Sequence, residues 1–327
     1  MFRPLTTAAI ALVALAAAPA ADAQTQRLLD APCTANPDTP VTETGTGRTY
    51  LLDYPCDLKA GEPVTLVLNL HGGGSSGTWQ RRYFPAFDYK ERHRLVVASP
   101  YSPIRRWEAT DDVYLQNIVA TLVERIGPAN VRAFWLAGHS QGGATSRRLV
   151  CTDFFRARVD GFLSLSGGRV GGAPERDPGA GRPAQRTVQA ARTPAATTAA
   201  AVIAEPSCDF SHIYETGQHE ILALPTVSAV AQKYHCGARE RRPDVVDTVA
   251  GHVHDGGSQN PGTKQWGLLP RPGTAELFVY PGCDNGRVVA DVRRIDKGHT
   301  EGLEPNITEA LVALMVAAPG GKISRAR

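Results

Sequence analysis

The sequence Gly138-His-Ser-Gln-Gly142 places a serine inside a short turn flanked by glycines. An apolar run, 131–137, precedes this turn and a helix-compatible stretch, 142–150, follows it. A strand that turns so sharply into a helix needs residues without bulky side chains, and it exposes the serine hydroxyl beside a helix N-terminus. The pattern therefore predicts that Ser140 is the nucleophile of an acyl-transfer reaction.

A second glycine-rich turn, His71-Gly-Gly-Gly74, follows an earlier strand-like run. A tetrahedral intermediate of acyl transfer carries an oxyanion, and each fixed N–H donor stabilises the transition state by about 3–4 kcal/mol. We expect the backbone amide of Gln141, and that of Gly72 or Gly73, to supply these donors. We expect His71 to orient this loop.

A serine hydroxyl is a poor nucleophile at neutral pH and needs a general base. His299 is the candidate, because it follows the last strand-like run. The imidazole needs a carboxylate that fixes its tautomer and stabilises its charged form. Glu220 is the first candidate for that role, since it lies beyond a glycine-containing turn after the strand-like run 210–214. The alternative acids are Glu215, Asp284, Asp291 and Asp296.

Strand-like runs alternate with helical patterns along most of the chain. The runs lie at 49–54, 64–70, 95–99, 131–137, 159–166, 210–214, 275–280 and 288–295. Besides the stretch after Ser140, helices are predicted at 111–126, 225–234 and 306–316. This alternation implies an α/β protein with a mostly parallel central sheet and helices on both faces. Together with the serine turn it predicts the α/β-hydrolase fold.

The first 23 residues have the pattern of a secretory signal peptide. Arg3 precedes an apolar run from about 8 to 18, and Ala21-Asp-Ala23 supplies the small residues before a cleavage site at Gln24. The run is too short for a membrane-spanning helix, and no other apolar run approaches about eighteen residues. We therefore expect a secreted or periplasmic protein without a membrane span, with one domain at 24–327.

The remaining composition restricts the possible partners. The net charge is +3 with both signs mixed, so no nucleic-acid-binding surface is indicated.

Residues 171–206 are rich in Ala, Pro, Arg, Thr and Gly and are predicted to form a flexible insertion. His252-Val-His254-Asp255 lacks further matching ligands, so we expect neither a metal nor a cofactor. The six cysteines predict disulfides, with fifteen possible pairings.

With these motifs, the chain resembles secreted bacterial esterases of the feruloyl esterase and poly(3-hydroxybutyrate) depolymerase-like branch of the α/β-hydrolases. The shared motifs are Leu70-His-Gly-Gly-Gly74, Trp107 followed by Asp111-Asp112-Val113, Gly138-His-Ser-Gln-Gly-Gly143, Tyr280-Pro-Gly-Cys283 and Gly298-His-Thr300. In that group a Gly-x-x-Asp turn carries the acid, and Gly217-Gln-His-Glu220 takes its place here, which supports Glu220. Where that group has Trp-Pro after the His-Thr pair, this chain has Glu301-Gly302. The resemblance also implies the bridges Cys236–Cys283 and Cys151–Cys208, which leaves Cys33 with Cys56.

The expected function is that of a secreted serine esterase that acts through an acyl-enzyme. Its expected partner is an ester substrate of the short acyl, hydroxycinnamoyl or polyester type, either a small molecule or part of a polymer. One alternative is a peptidase of the prolyl-oligopeptidase kind, although such enzymes usually carry a propeller domain for which this chain has no room. The other alternative is a noncatalytic binding protein on the same scaffold.

Overall fold

A computed structural model describes residues 29–172, 206–252, 264, 266–267 and 271–325. Its strands are β1 (Val41–Thr42), β2 (Thr49–Asp53), β3 (Val64–Leu70), β4 (Leu95–Pro100), β5 (Val131–His139), β6 (Gly161–Leu165), β7 (Ser211–Gly217), β8 (Glu240–Arg241), β9 (Val245–Val246), β10 (Thr274–Val279) and β11 (Val289–Arg294). Its α-helices are α1 (Gly77–Tyr83), α2 (Lys90–His93), α3 (Asp112–Ile126), α4 (Gln141–Leu149), α5 (Asp153–Arg156), α6 (Ala229–Lys233), α7 (Pro305–Ala317) and α8 (Lys322–Arg325). The predicted signal peptide and most of the predicted insertion lie outside the described residues.

The described strands form one sheet in the order β1-β2-β4-β3-β5-β6-β7-β11-β10-β8, and β9 also pairs with β10. The six strands from β4 to β11 in this order run parallel. By contrast, β2 pairs antiparallel with β4, and β10 pairs antiparallel with β11. This order, with the serine turn directly after β5, is the α/β-hydrolase fold, so the predicted fold class is confirmed.

Helices cover both faces of this sheet. Leu66 and Leu68 of β3 belong to the core that α3 covers, whereas Val67 between them belongs to the core that α7 covers. Successive side chains of a strand point to opposite faces, so a strand with two buried faces is apolar at nearly every position. The sheet therefore places the carboxyl ends of its parallel strands along one edge, where the loops that carry the candidate site residues meet.

The segment Pro305–Arg325 is long and apolar enough to cross a membrane by length and composition alone. In the structure it is divided into α7 and α8. Helix α7 has 13 residues, which span about 20 Å, less than the roughly 30 Å of a bilayer core. Its buried side chains, among them Ile307, Leu311 and Met315, pack against the sheet, so the segment serves as a core helix.

The eight predicted strands are all present: β3 has the predicted bounds, and the other seven have ends shifted by one to three residues. The predicted helix 225–234 is wrong in extent: α6 begins only at Ala229, because the Ser228 hydroxyl caps it by accepting the N–H of Ala231 at 3.3 Å. Additions to the prediction are the helices α1, α2, α5 and α8 and the short strands β1, β8 and β9.

All six cysteines lie in the described residues and form three disulfides. The pairs are Cys33–Cys56, Cys151–Cys208 and Cys236–Cys283. These are the pairs implied by the resemblance, so that expectation is confirmed. The second bridge joins the segment after α4 to the residues before β7, on either side of 173–205.

Candidate active site

Ser140 lies at the tip of the turn between β5 and α4. Its backbone has φ 52° and ψ −118°, a conformation that costs a residue other than glycine about 1–3 kcal/mol. The surrounding backbones leave no space for side chains, since a Cβ on Gly138 would lie 2.4 Å from the carbonyl carbon of Gly142. A Cβ on Gly142 would lie 2.2 Å from the carbonyl oxygen of Leu70. The two glycines therefore permit the turn that exposes the Ser140 hydroxyl.

The three side chains of the predicted triad form one hydrogen-bonded chain. His299, in the loop after β11, has Nε2 2.8 Å from Ser140 Oγ. Its Nδ1 lies 2.5 Å from Glu220 Oε2. In this arrangement Nε2 can take the serine proton while the carboxylate fixes the tautomer and stabilises the imidazolium. The fold thus brings together residues that are separated by up to 159 positions in the chain.

The environment of Glu220 keeps its carboxylate ionised. Its other oxygen, Oε1, accepts the hydroxyl of Ser166 and the backbone N–H of Gly217, both at 2.7 Å. Burial raises the pKa of the Glu220 carboxyl, but the nearby His299 imidazole and the two donors outweigh burial, so the pKa lies below its usual value. An ionised partner is what the imidazole requires when it receives the proton.

Each alternative acid has another partner. Glu215 lies on β7 with its side chain fully buried, and it accepts a hydrogen bond from Arg294 Nε at 2.5 Å. Burial raises its pKa to about 7. The remaining three are paired as follows: Asp284 with His235, Asp291 with Arg169, and Asp296 with His219. The geometry therefore favours Glu220 over the four alternatives.

The candidate oxyanion donors lie beside the serine. A Cβ on Gly72 would be 3.3 Å from the Cβ of Ser140, and one on Gly73 would be 3.3 Å from Oε1 of Gln141. Gln141 is the first residue of α4, where backbone N–H groups have no partner within the helix. The loop after β3 and the start of α4 therefore border the same space next to Ser140 Oγ.

His71 and Trp107 hold that loop in place. The Nε2 of His71 accepts the N–H of Ser102 at 3.1 Å, so Nδ1 carries the proton and donates it to the carbonyl of Gly72 at 2.8 Å. Burial lowers the pKa of His71 to about 4, which keeps the ring neutral. Trp107 donates from Nε1 to the carbonyl of His71 at 2.7 Å and from its backbone to Gln141 Oε1 at 3.2 Å. These contacts agree with an orienting role for His71.

The predicted triad is contacted by two further residues, which the sequence analysis did not single out. Ser166 donates to Glu220, and Trp266 packs its ring on His299 with 5.3 Å between ring centroids. Ser166 follows β6, the neighbour of β5, so its position at the carboxyl end of a parallel strand was a usable signal. Trp266 offered no such signal, because its contact depends on the path of a long loop.

The structure describes only part of the His252-Val-His254-Asp255 motif. Of the possible metal ligands around His252, residues His254 and Asp255 lie outside the described residues. Within the part of the chain that the structure describes, no group of three or more His, Cys, Asp or Glu side chains has a metal-binding arrangement.

Neither a family model nor a curated protein matches the sequence. Among solved structures, the chain is similar to acetyl xylan esterase from Aspergillus awamori, with 12% identity over 84% of this chain and 98% of that chain and a TM-score of 0.43. It is also similar to TT1662 from Thermus thermophilus, with 15% identity, coverage of 88% and 98%, and a TM-score of 0.42. FphF, a fluorophosphonate-binding serine hydrolase of Staphylococcus aureus, has 20% identity over 36% of this chain, with a TM-score of 0.27. The chain spans 51% of FphF. The assignment of the fold rests on the strand order and on the serine turn.

Proposed function

We propose that this protein is a serine hydrolase that cleaves carboxylic esters through an acyl-enzyme. The observation that carries the proposal is the hydrogen-bonded chain from Ser140 Oγ through His299 to the ionised Glu220. The adjacent glycine loop and the start of α4 complete the set of groups that acyl transfer needs.

In the proposed mechanism, His299 Nε2 takes the proton of Ser140 as Oγ attacks the ester carbonyl carbon. Negative charge develops on the carbonyl oxygen, which faces the backbone amides of Gln141 and of Gly72 or Gly73. The imidazolium, stabilised by Glu220, then gives its proton to the departing alcohol. A water molecule repeats the sequence on the acyl-enzyme, and the acid is released with Ser140 restored.

Esters are favoured over amides by the His71-Gly-Gly-Gly74 loop, a pattern of lipases and esterases, and by the resemblance to secreted bacterial esterases. Short acyl, hydroxycinnamoyl and polyester-type esters are all proposed substrates on this basis. The three disulfides support the proposal that the protein works outside the cytoplasm, as residues 1–23 predict. In that case the mature chain begins at Gln24.

The proposal is tested by labelling with a fluorophosphonate probe and by ester and amide panels on purified protein. We expect the probe to label the wild type and short acyl esters to be hydrolysed. The Ser140→Ala variant should take no label and lose several orders of magnitude of activity, because the covalent route is removed. Ser324→Ala, on α8, serves as the matched serine control.

Three results would contradict the proposal. Failure of the probe to label the wild type would favour a noncatalytic protein. Activity of Ser140→Ala within tenfold of the wild type would exclude Ser140 as the nucleophile. Cleavage of aminoacyl amides in preference to esters would favour a peptidase.

A further inference from the structure

The loop that carries His299 is closed by a buried carboxylate from its own far end. Glu301 Oε2 accepts the backbone N–H of Gly298 at 2.7 Å. Gly298 directly precedes His299 and Glu301 follows two residues after it, so this hydrogen bond spans the candidate base. Glu301 is 2% exposed. The main chain on the amino side of His299 is therefore held by a charged side chain inside the protein.

The backbone of Glu301 is itself fixed by Arg294, at the end of β11. Arg294 Nη1 donates to the carbonyl oxygen of Glu301 at 2.7 Å. Its Nε donates to Glu215 Oε1 on β7 at 2.5 Å, and β7 and β11 are neighbours in the parallel part of the sheet. The residues that follow His299 are thus tied to two strands. Through its side chain, Glu301 extends this support to the amino side of His299.

Ion pairing alone does not account for a carboxylate at this buried position. Lys297 Nζ lies 3.8 Å and Arg271 Nε lies 3.7 Å from Glu301 Oε1. Lys297 is much closer to Glu304, at 2.6 Å. A buried charge is unfavourable unless its oxygens accept hydrogen bonds as well. Since Oε1 accepts none from the described residues, the bond from Gly298 is the close contact that compensates the burial of Glu301.

The His299 imidazole has to meet two partners at once. Its Nε2 lies 2.8 Å from Ser140 Oγ, and its Nδ1 lies 2.5 Å from Glu220 Oε2. Both contacts depend on the direction of the ring, because hydrogen bonds weaken steeply as the donor, hydrogen and acceptor move out of line. The direction of the ring follows from the main chain that carries it. A displaced main chain before His299 would therefore slow the reaction even with every group of the site present.

We propose that Glu301 is a positioning residue, and that its hydrogen bond with Gly298 keeps the His299 imidazole aligned with its two partners. The inference rests on the proposed function, since acyl transfer at Ser140 is the reaction that this alignment serves. The role requires an oxygen that accepts the Gly298 N–H, whether or not it is charged. Glu301→Gln should therefore keep this role, and Glu301→Met should lose it.

The variants separate the hydrogen bond from the burial of charge. Glu301→Met removes the acceptor with a side chain of similar length, and Glu301→Gln keeps an acceptor oxygen without the charge. Glu304→Met is the matched control. Glu304 is as buried as Glu301 and lies 2.6 Å from Lys297, but within the described part of the chain its carboxylate accepts no hydrogen bond from residues 298–300. Urea unfolding measures how much stability each variant loses.

The activity readouts are kcat and KM for p-nitrophenyl acetate, with the molecules that a fluorophosphonate probe labels counted as active. Counting the labelled molecules removes any loss of activity that is due to unfolding. A second readout is the NMR signal of the His299 Nδ1 proton, which reports the hydrogen bond to Glu220 directly and does not depend on turnover.

We expect Glu301→Met to lower kcat per labelled molecule by about 10- to 100-fold at a similar KM, because the buried side chain aligns the base and does not touch the substrate. The Nδ1 proton signal should shift or broaden in this variant. Glu301→Gln and Glu304→Met should keep the signal and a kcat within about threefold of the wild type. Glu301→Asp preserves the charge and withdraws the acceptor from Gly298, so it gives the same test if Glu301→Met does not fold.

Equal kcat values per labelled molecule for Glu301→Met and Glu304→Met would overturn the inference and leave the proposed function in place. The same holds if Glu301→Gln loses as much activity as Glu301→Met. Absence of labelling in the wild type would overturn the proposed function itself, and this inference with it.

Discussion

His139 donates a hydrogen bond from Nε2 to the backbone carbonyl of His299 at 2.8 Å. The residue before the candidate nucleophile thereby holds the main chain of the candidate base. The ring also packs on Tyr83 at 4.1 Å between centroids, and burial keeps the pKa of His139 well below its usual value, so the ring stays neutral. This contact fixes the distance between the serine turn and the histidine loop.

We predict that His139→Leu lowers kcat/KM by about tenfold, because it removes the 2.8 Å hydrogen bond and leaves the His299 carbonyl with the longer contact of 3.4 Å from the Tyr83 hydroxyl. His139→Gln keeps an N–H donor at a similar reach and should retain more activity. Initial rates on a short acyl ester, with urea unfolding to compare stability, measure both effects. Equal activity of the two variants would show that the hydrogen bond has no positioning role.

Glu220→Gln should lower kcat by about 10³–10⁴-fold, since a neutral amide neither fixes the imidazole tautomer nor stabilises its charge. Glu215→Gln should instead act on stability, because it removes the nearer of the two carboxylates that face the buried Arg294 and leaves Glu304 at 3.8 Å, at a cost of up to about 3–5 kcal/mol. Its activity per folded molecule should fall far less. Kinetics and urea denaturation of both variants separate the two roles, and a reversed order of activities would identify Glu215 as the acid.

A methyl group at Gly72 should damage the site more than one at Gly73. At Gly72 the added Cβ would lie 2.7 Å from Nδ1 of the buried His139 and 3.3 Å from the Ser140 Cβ. At Gly73 the nearest atom is the side-chain oxygen of Gln141 at 3.3 Å, which can move aside. We expect Gly72→Ala to lose at least about 100-fold in kcat and Gly73→Ala less than about tenfold, as for other displaced oxyanion donors. Equal losses of kcat for the two variants in initial-rate assays would argue against the proposed position of Gly72 beside the oxyanion.

Three buried histidines predict a loss of stability in acid. Burial lowers the pKa of His71 to about 4 and that of His212 to about 3, and it lowers the pKa of His139 well below its usual value. Between about pH 6.5 and 4 the unfolded chain therefore binds protons on these rings that the folded chain does not. Stability rises with pH through this window and is lost as pH falls through it, by about 3 kcal/mol at pH 4 for His71 alone.

Urea midpoints between pH 7 and pH 4.5 measure this dependence. His212 accepts the N–H of Val170 at 3.3 Å and lies away from the candidate site, so His212→Gln is the test variant. It should be less stable than the wild type at pH 7 but show a shallower decline toward acid. Parallel curves for the two proteins would mean that His212 is not the source of the pH dependence.

The sequence predicted the structure best where burial of a strand or a close contact between backbones restricts the residue types that fit. All seven residues of β3 are buried and five of them are apolar, because both faces of the strand are covered, and the glycines around Ser140 are required by close backbone contacts. The order Ser140, Glu220, His299 along the chain is the order of nucleophile, acid and base that the α/β-hydrolase fold uses. The acid could be narrowed only to several carboxylates, since the choice depends on which side chain meets His299 across two loops.

Helix α1 shows why other parts were not predictable. Its sequence has consecutive polar and charged residues, and two of them, Gln80 and Arg81, point into the structure. The charge of Arg81 is neutralised by Asp53 of β2, with two hydrogen bonds of 2.7 and 2.8 Å. Gln80 donates to Asn69 of β3 at 2.7 Å. Gln80 and Arg81 can be buried because their hydrogen-bond partners come from distant parts of the chain. The hydrophobic pattern of the helix alone does not reveal those partners, so the helix could not be predicted from it.

The bridge Cys151–Cys208 joins the parts of the chain that carry Ser140 and Glu220, so it would keep them covalently linked after a single backbone cut between them. One proteolytic cut anywhere within 173–205 would yield a fragment that carries Ser140 and a fragment that carries Glu220 and His299. The other two disulfides lie within single fragments, so this bridge would be the covalent link between them. Strands β6 and β7, one from each fragment, would still pair in the sheet. The cut molecule would migrate as one species without reductant and as two with it, as a two-chain protein whose candidate catalytic groups are divided between the chains.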